Sequence, residues 1–383
     1  MSKDDKPALT PRDIVADSRR WVVKIGTSSL TSVKSGLNHD AIYQWVKQTV
    51  ELQNQGVQVV LVSSGSIGEG MARLGWQERP QKVHHLQAAA AVGQMGLIQS
   101  YESAFKSFGK LTAQILLTHG DFANRERYLN ARSTLLELLA LGVVPIVNEN
   151  DTIVNDEIRF GDNDTLAALV ANLVEAKTLV LLTDQKGLFD KDPRFDPEAQ
   201  LIDGGIADDA SLMEKAGKPG ALGRGGMATK IIAARKASKS GASTIIAHGQ
   251  EPDVLVRLKR GERIGTVLSP GSTERLVAKK QWLAGQMRSN GKLFLDQGAV
   301  TVLRQKGKSL LPIGVTRVEG RFTRGEIVTC VDVEGNDMAY GLVNYNSDEA
   351  RKIIGFSSQK IPEILGYGGE SELIHRDNIA FLD

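Results

Sequence analysis

The chain has 383 residues, 41% of them hydrophobic, which is too long for one typical domain and enough for two with sizeable cores. Its formal net charge of +2 removes any global electrostatic case for binding nucleic acid or a membrane surface. One cysteine, Cys330, excludes an internal disulfide and suits a reducing compartment, and no apolar run is long enough to span a bilayer.

Residues Met1 to Arg20 are polar, contain Pro7 and Pro11, and lack the apolar core of a signal peptide. They read as a weakly ordered lead-in to a cytoplasmic enzyme. Trp21 to Ile25 is a short buried-type strand that runs into Gly26-Thr27-Ser28-Ser29. Its Lys24 places a cation at the carboxyl edge of a sheet, where open α/β sheets bind ligands; a lysine snorkelling from a sheet edge is the plain alternative. Ile42, Trp45, Val46, Val50 and Leu52 recur at helical spacing between Asn38 and Gln55. Val57 to Val62 is a nearly continuous apolar run, as in a strand covered on both faces. The hydroxyl and glycine loop Ser63 to Gly70 follows, either as turn chemistry or as a source of donors to a carboxylate or phosphate.

Residues Val83 to Phe108 form an Ala-rich helix interrupted by Gly93 and Gly96. Its pair His84-His85 has no Cys or acidic partner at metal-ligand spacing, and no protein metal site is expected. Ala113 to Leu117 reads as a strand, Asp121 to Arg127 as a charged loop, Tyr128 to Leu141 as a helix, and Val143 to Val147 as a strand. The next segment is unusually polar. It opens with Asn148-Glu149-Asn150-Asp151-Thr152 and closes with Gly161-Asp162-Asn163-Asp164-Thr165. Asp164 suits the N-cap of a helix from Leu166 to Glu175, but the surplus of Asn and Asp suggests polar groups converging on a small zwitterion or a metal.

Thr178 to Leu182 is a further buried strand, ending in Thr183-Asp184-Gln185-Lys186-Gly187. A helix around Ala207 to Ala216 leads to Leu222-Gly223-Arg224-Gly225-Gly226-Met227-Ala228-Thr229-Lys230, where glycines bare backbone N–H groups just before a helix opens. Such a terminus is an anion site to which Lys230 adds a charge, or else a flexible loop before a surface helix. It is not a Walker A sequence. Strand and helix alternate from residue 21 to 268, which argues for a mostly parallel sheet with helices on both faces. Beyond Lys292 short alternating runs dominate (Ile313 to Val318, Glu326 to Val333, Met338 to Tyr345), as in a small, mostly antiparallel β-domain. Cys330 lies in one of these runs and reads as a buried thiol. The division is a lead-in at 1–19, an α/β domain at 20–270, a linker at 271–290 and a β-rich domain at 291–383.

Taken in order, Val23-Lys24-Ile25-Gly26-Thr27-Ser28, Ser63-Ser64-Gly65, Asn148-Glu149-Asn150-Asp151, Gly161-Asp162-Asn163-Asp164, Thr183-Asp184-Gln185-Lys186-Gly187-Leu188 and Gly225 to Lys230 resemble the glutamate 5-kinases. Val328 to Tyr345, with Leu310-Leu311-Pro312 and Arg324-Gly325-Glu326, is similar to the PUA domain that many bacterial members carry. The resemblance implies the amino acid kinase fold, a three-layer α/β sandwich around a mostly parallel sheet, followed by a small β-rich PUA pseudo-barrel. It implies ATP, Mg²⁺ and L-glutamate as reactants, with Lys24 and Lys230 stabilising the transferring phosphoryl group. Asp164 and Asp162 are then placed to hold the two lysines. By the same resemblance Ser64, Asp151 and Asn163 bind glutamate, with Asn148 as a further candidate. Lys24, Gly26, Thr183, Asp184, Arg224, Gly225, Gly226, Met227, Ala228, Thr229 and Lys230 fall where the family binds nucleotide. Arg224 stands where the family pattern has threonine; an arginine pairs strongly with phosphate.

Besides an inactive, regulatory kinase-like scaffold, against which the intact Lys24 and Lys230 argue, two other readings stay open at this point. One is another carboxylate, carbamate or nucleotide kinase of the same fold; Asp151 disfavours a nucleoside monophosphate, which it would repel. The other is an RNA-binding protein acting through the PUA domain, against which the balanced charge of the tail argues. The family's habit points to a homodimer or tetramer and to feedback inhibition by proline.

Overall fold

A computed structural model describes residues 10–32, 36–153, 163–216, 226–271 and 289–382. Two compact units emerge, Met1–His119 with Arg132–Arg275, and Gly120–Ala131 with Leu276–Asp383. The sequence reading keeps 120–131 within the first domain, whereas this segment groups with the second unit.

The strands of the first unit are β1 (Arg20–Ile25), β2 (Thr31–Ser32), β3 (Gly36–Leu37), β4 (Gln58–Ser63), β5 (Thr112–Leu117), β6 (Val144–Glu149), β7 (Thr178–Thr183), β8 (Gly204–Ile206), β9 (Ser243–His248) and β10 (Thr266–Ser269). Eight of them make one sheet in the order β5-β6-β4-β1-β7-β9-β10-β8, and β2 pairs with β3 separately. All neighbours in the large sheet run parallel except β9 and β10. β1, β4, β6, β7 and β9 are buried on both faces almost throughout, which is why their sequences are continuous apolar runs rather than alternating ones.

Side chains alternate across β1. Trp21, Val23 and Ile25 enter one core with Trp45, Leu97 and Tyr101. Val22 and Lys24 therefore face the opposite side. The helix Asn163–Leu173 packs on β1 there, and the helix Met227–Ser238 packs on that helix. β1 has β4 on one side and β7 on the other, so the connections leaving the carboxyl ends of β1 and β7 part in opposite directions. That divergence opens a crevice, as at other switch points of parallel sheets.

Gly93 and Gly96 do not interrupt the helix Val83–Lys106, which runs through both. Gly93 lies against the helix Ser66–Arg73 so closely that a Cβ on it would stand 1.8 Å from the Ser66 carbonyl oxygen. A Cβ on Gly70 would stand 1.7 Å from the Ala89 carbonyl oxygen. The two helices thus cross backbone to backbone, and this crossing holds the loop that ends β4. Gly65, at φ +100°, turns that loop into its helix with a left-handed conformation that suits glycine.

Two further expectations are overturned. Residues 10–17 are not a weakly ordered lead-in: Pro11–Asp17 is a helix with a Thr10–Asp13 capping box. Its Val15 is buried, and the Arg12 guanidinium donates to the carbonyls of Glu262, Ile264 and Gly265 and pairs with Asp203 at 2.7 Å. One buried valine and one arginine with distant partners leave no periodic signal. Asp121 to Arg127 is not a loop either. It spans the end of the helix His119–Ala123 and the start of Arg125–Ala140, between which the Asn124 side chain accepts from the Arg127 N–H at 3.0 Å.

The second unit holds β11 (Gly291–Leu295), β12 (Val315–Gly320), β13 (Ile327–Val331), β14 (Asp337–Leu342) and β15 (Ile379–Phe381), in the order β12-β11-β13-β14-β15. Every pair is antiparallel except β11 with β13. Cys330 lies in its core with Leu293, Leu295 and Met338, and burial pushes the thiol up to about 12, which makes it a poor nucleophile. No helix among the described residues is long and apolar enough to cross a membrane.

Gly93→Ala should destabilise the protein by about 1–3 kcal/mol, because the added methyl must push two helical backbones apart. Urea unfolding measures this. An unchanged midpoint would show that the helices do not cross so closely.

Candidate active site

The crevice is a cavity of about 580 Å³, lined in part by Lys24, Ser64, Ser66, Asp151, Asn163, Thr183, Asp184 and Lys230. Its wall is organised by one carboxylate. Asp164, 1% exposed, lies in the first turn of Asn163–Leu173. One of its oxygens is 2.6 Å from Lys24 Nζ on β1, and the other accepts from Lys230 Nζ at 3.1 Å. Thr229 Oγ1 donates to this second oxygen at 2.9 Å. Both lysines are buried, at 6% and 3% exposure, so Lys24 is not a snorkelling edge lysine. The expected N-cap role of Asp164 does not hold: the helix already includes Asn163, and the carboxylate is turned to two ammonium groups rather than to backbone N–H groups.

Burial would raise the Asp164 carboxyl, but the charges of Lys24 and Lys230 and the Thr229 hydroxyl outweigh it and hold the group below the usual carboxylate range. Lys230 is lowered as well, which in a lysine favours the neutral form. Burial lowers it, and the nearby Lys24 charge adds to this, against the attraction of Asp164. Two ammonium groups share one carboxylate in a poorly hydrated wall. The excess positive charge is available to an incoming anion.

Beside this triad, Asn163 Nδ2 donates to the Ser63 carbonyl at 3.1 Å, to Ser64 Oγ at 2.8 Å and to Asn148 Oδ1 at 3.1 Å. Asn148 in turn donates to Gln94 Oε1 at 2.8 Å, so it stands behind Asn163 and does not form part of the cavity wall. As a substrate-contacting candidate it is displaced, because its polar atoms are turned to the protein. Asp151 does line the cavity and accepts from Ser66 Oγ at 3.0 Å. Burial pushes its carboxyl up to about 6, against the Ser66 hydrogen bond and the charge of Arg79.

The nucleotide candidates divide. Lys24, Gly26, Thr183, Asp184 and Lys230 line the cavity, and Thr183 Oγ1 donates to Asp184 at 3.0 Å. A Cβ on Gly26 would stand 3.3 Å from the Leu182 carbonyl oxygen, so the β1 loop lies tight against β7. Gly226 is the N-cap of the helix that Met227, Ala228 and Thr229 begin, none of the four lining the cavity. Asp162, Arg224 and Gly225 lie outside the described residues. Sequence reasoning missed Gln77, Arg79 and Glu149, all on the wall. Glu149 sits inside the polar run already singled out. Gln77 and Arg79 come from a connector between helices that has no periodic pattern.

The profile of the Amino acid kinase family matches residues 19–248, and that of the PUA domain matches residues 291–365. A glutamate 5-kinase of Thioalkalivibrio sulfidiphilus is 59% identical over 372 residues, covering 97% of this chain and 99% of that protein. One of Chromohalobacter salexigens is 61% identical over 371 residues, covering 97% and 98%. The chain belongs to the glutamate 5-kinases of the amino acid kinase family. A UMP kinase from Bacillus anthracis aligns over 67% of this chain and 97% of its own at 15% identity and a TM-score of 0.48, a likeness that does not bear on substrate. Membership in the glutamate 5-kinases extends over both units, since the relatives align from end to end.

Asp164→Asn leaves two buried ammonium groups without the carboxylate between them. Unfolding free energy at pH 7 should fall by about 3–5 kcal/mol. Because the Asp164 carboxyl is held below its unfolded value, its contribution is present above about pH 4 and is lost as the pH falls through the lowered value. The difference between parent and variant should therefore narrow in acid. Denaturant titrations at pH 7 and pH 3 test this, and equal stability at pH 7 would remove Asp164 from its organising place.

Proposed function

We propose that the chain transfers the terminal phosphoryl group of ATP to the γ-carboxylate of L-glutamate, giving ADP and L-glutamyl 5-phosphate, the first step of proline biosynthesis. The observation that carries this reading is a single cavity wall holding both an amino-acid-type acid, Asp151, and a buried cation pair, Lys24 and Lys230, with one carboxylate between them. An acid on that wall suits an ammonium group and opposes a nucleoside monophosphate.

A γ-carboxylate oxygen forms the new bond to phosphorus while the bond from phosphorus to the bridging oxygen of ADP breaks. The attacking group has an ordinary pKa of about 4.3 and is already ionised, so no general base is needed. The barrier is repulsion between an anionic nucleophile and a polyanionic donor. Catalysis is then positioning plus neutralisation, with Lys24 and Lys230 on the equatorial oxygens and Asp164 fixing the two ammonium groups. Asn163, Ser64 and Asp151 hold glutamate, and Asn148 orients Asn163 from behind. Thr183, Asp184 and the start of the Lys230 helix receive the nucleotide.

Among the described residues no group of three or more His, Cys, Asp or Glu could hold a metal ion. Asp184, a hard oxygen donor on the wall, would help to hold Mg²⁺ together with the nucleotide. When bound, the ion neutralises phosphate charge. The same reading includes a cytoplasmic location, a dimer or tetramer, and inhibition by proline.

Coupled ADP release with hydroxylamine trapping of the acyl phosphate should register L-glutamate and little aspartate or UMP. Lys230→Ala should lower kcat at least a hundredfold while the KM for glutamate changes only a few-fold. A change confined to KM would remove Lys230 from the transition state.

Protonation of Asp151 removes the charge that holds an ammonium. With its carboxyl at about 6, kcat/KM for glutamate should fall about tenfold per pH unit below that value. A profile flat from pH 7 to pH 5 would dissociate Asp151 from glutamate binding.

A further inference from the structure

An α-amino acid carries its ammonium and its carboxylate on one carbon. A site that selects it therefore needs a cation close to the acid that takes the ammonium. Among the described residues three cationic side chains line the cavity: Lys24, Arg79 and Lys230. Lys24 and Lys230 are both drawn to Asp164, at 2.6 and 3.1 Å. Arg79 is the cation whose charge bears on Asp151, the acid anchored by Ser66.

We propose that Arg79 receives the α-carboxylate of L-glutamate and so makes the site selective for α-amino acids over simple carboxylic acids. The assignment rests on the glutamate reading above. A guanidinium presents two parallel N–H donors that match a carboxylate, which a lysine does not. The mounting of Arg79 suits a fixed contact. It is half-buried, and Pro80 behind it disfavours helical backbone at Arg79. Its connector joins the helix Ser66–Arg73 to Val83–Lys106, the pair locked together at Gly70 and Gly93. Ser66, at the start of the first of these helices, is the residue that anchors Asp151. The acid and the cation are thus both referred to the same rigid helix pair.

The test compares L-glutamate with 4-aminobutanoate, which keeps the ammonium and the reacting carboxylate but lacks the α-carboxylate. Each is assayed with Mg-ATP as a substrate, or as a competitive inhibitor where turnover is too slow to read. Arg79→Ala should lower kcat/KM for glutamate about 10- to 100-fold, almost wholly through KM, with kcat and the KM for ATP little changed. Binding of 4-aminobutanoate should stay as it was, so the preference for glutamate collapses. Arg79→Lys should recover part of it. An equal loss for both compounds, or no loss for glutamate, would overturn the assignment while leaving the kinase reading intact. Failure of the parent enzyme to phosphorylate glutamate would overturn both.

Discussion

A carboxylate shared by two buried lysines is the interaction on which this molecule depends. Asp164 ties together three elements distant in sequence: the end of β1 through Lys24, its own helix, and the helix of Lys230. Removing three charges from water costs several kcal/mol for each ion, and one carboxylate cannot compensate two ammonium groups. Lys230 is lowered mainly by burial, and the Lys24 charge adds to it. Two lysine charges held at one carboxylate suit an anionic ligand. Such a group is retained for what it binds rather than for what it adds to stability.

The surrounding fold makes that pairing possible without collapse. β1 lies at the centre of the sheet between β4 and β7, so its carboxyl end opens at the switch of chain direction. Strand alternation then sends Val23 and Ile25 into one core and Lys24 to the opposite face, where Asp164 waits. A one-residue slip of β1 would exchange these two faces and bury the lysine among aromatic rings. Tight glycine packing between the helices Ser66–Arg73 and Val83–Lys106 supplies the other rigid border. From it a relay of amides runs from Gln94 through Asn148 to Asn163 and Ser64, so that Asn163 is oriented by protein groups before any ligand arrives.

Much of this was legible in the residues. Both-face burial wrote continuous apolar runs into β4, β6 and β7, and small-residue loops marked the carboxyl ends of β1 and β4. The surplus of Asn and Asp around residues 148–152 and 163–164 exceeded what helix capping requires, and Asn148, Asp151, Asn163 and Asp164 lie on or directly behind the cavity wall. The misreadings share a cause. The helix at residues 11–17 is held by one buried valine and by an arginine whose partners lie about 190 to 250 positions away. Gly93 and Gly96 look like helix breakers until a second backbone is laid against them.

Local chemistry therefore determined the order of strands and helices, the two-part division of core-forming sequence, and which loops carry the polar residues. Tertiary structure alone decided which of those residues meet. Whether Asp164 caps a helix or bridges lysines, whether Asn148 contacts the cavity or stands behind it, and that Arg79 reaches the wall at all, depend on contacts across 54 or more positions or on an aperiodic connector. Hydrophobic periodicity is a property of neighbours along the chain. Electrostatic pairing falls with distance through space, and no spacing in the sequence encodes that distance.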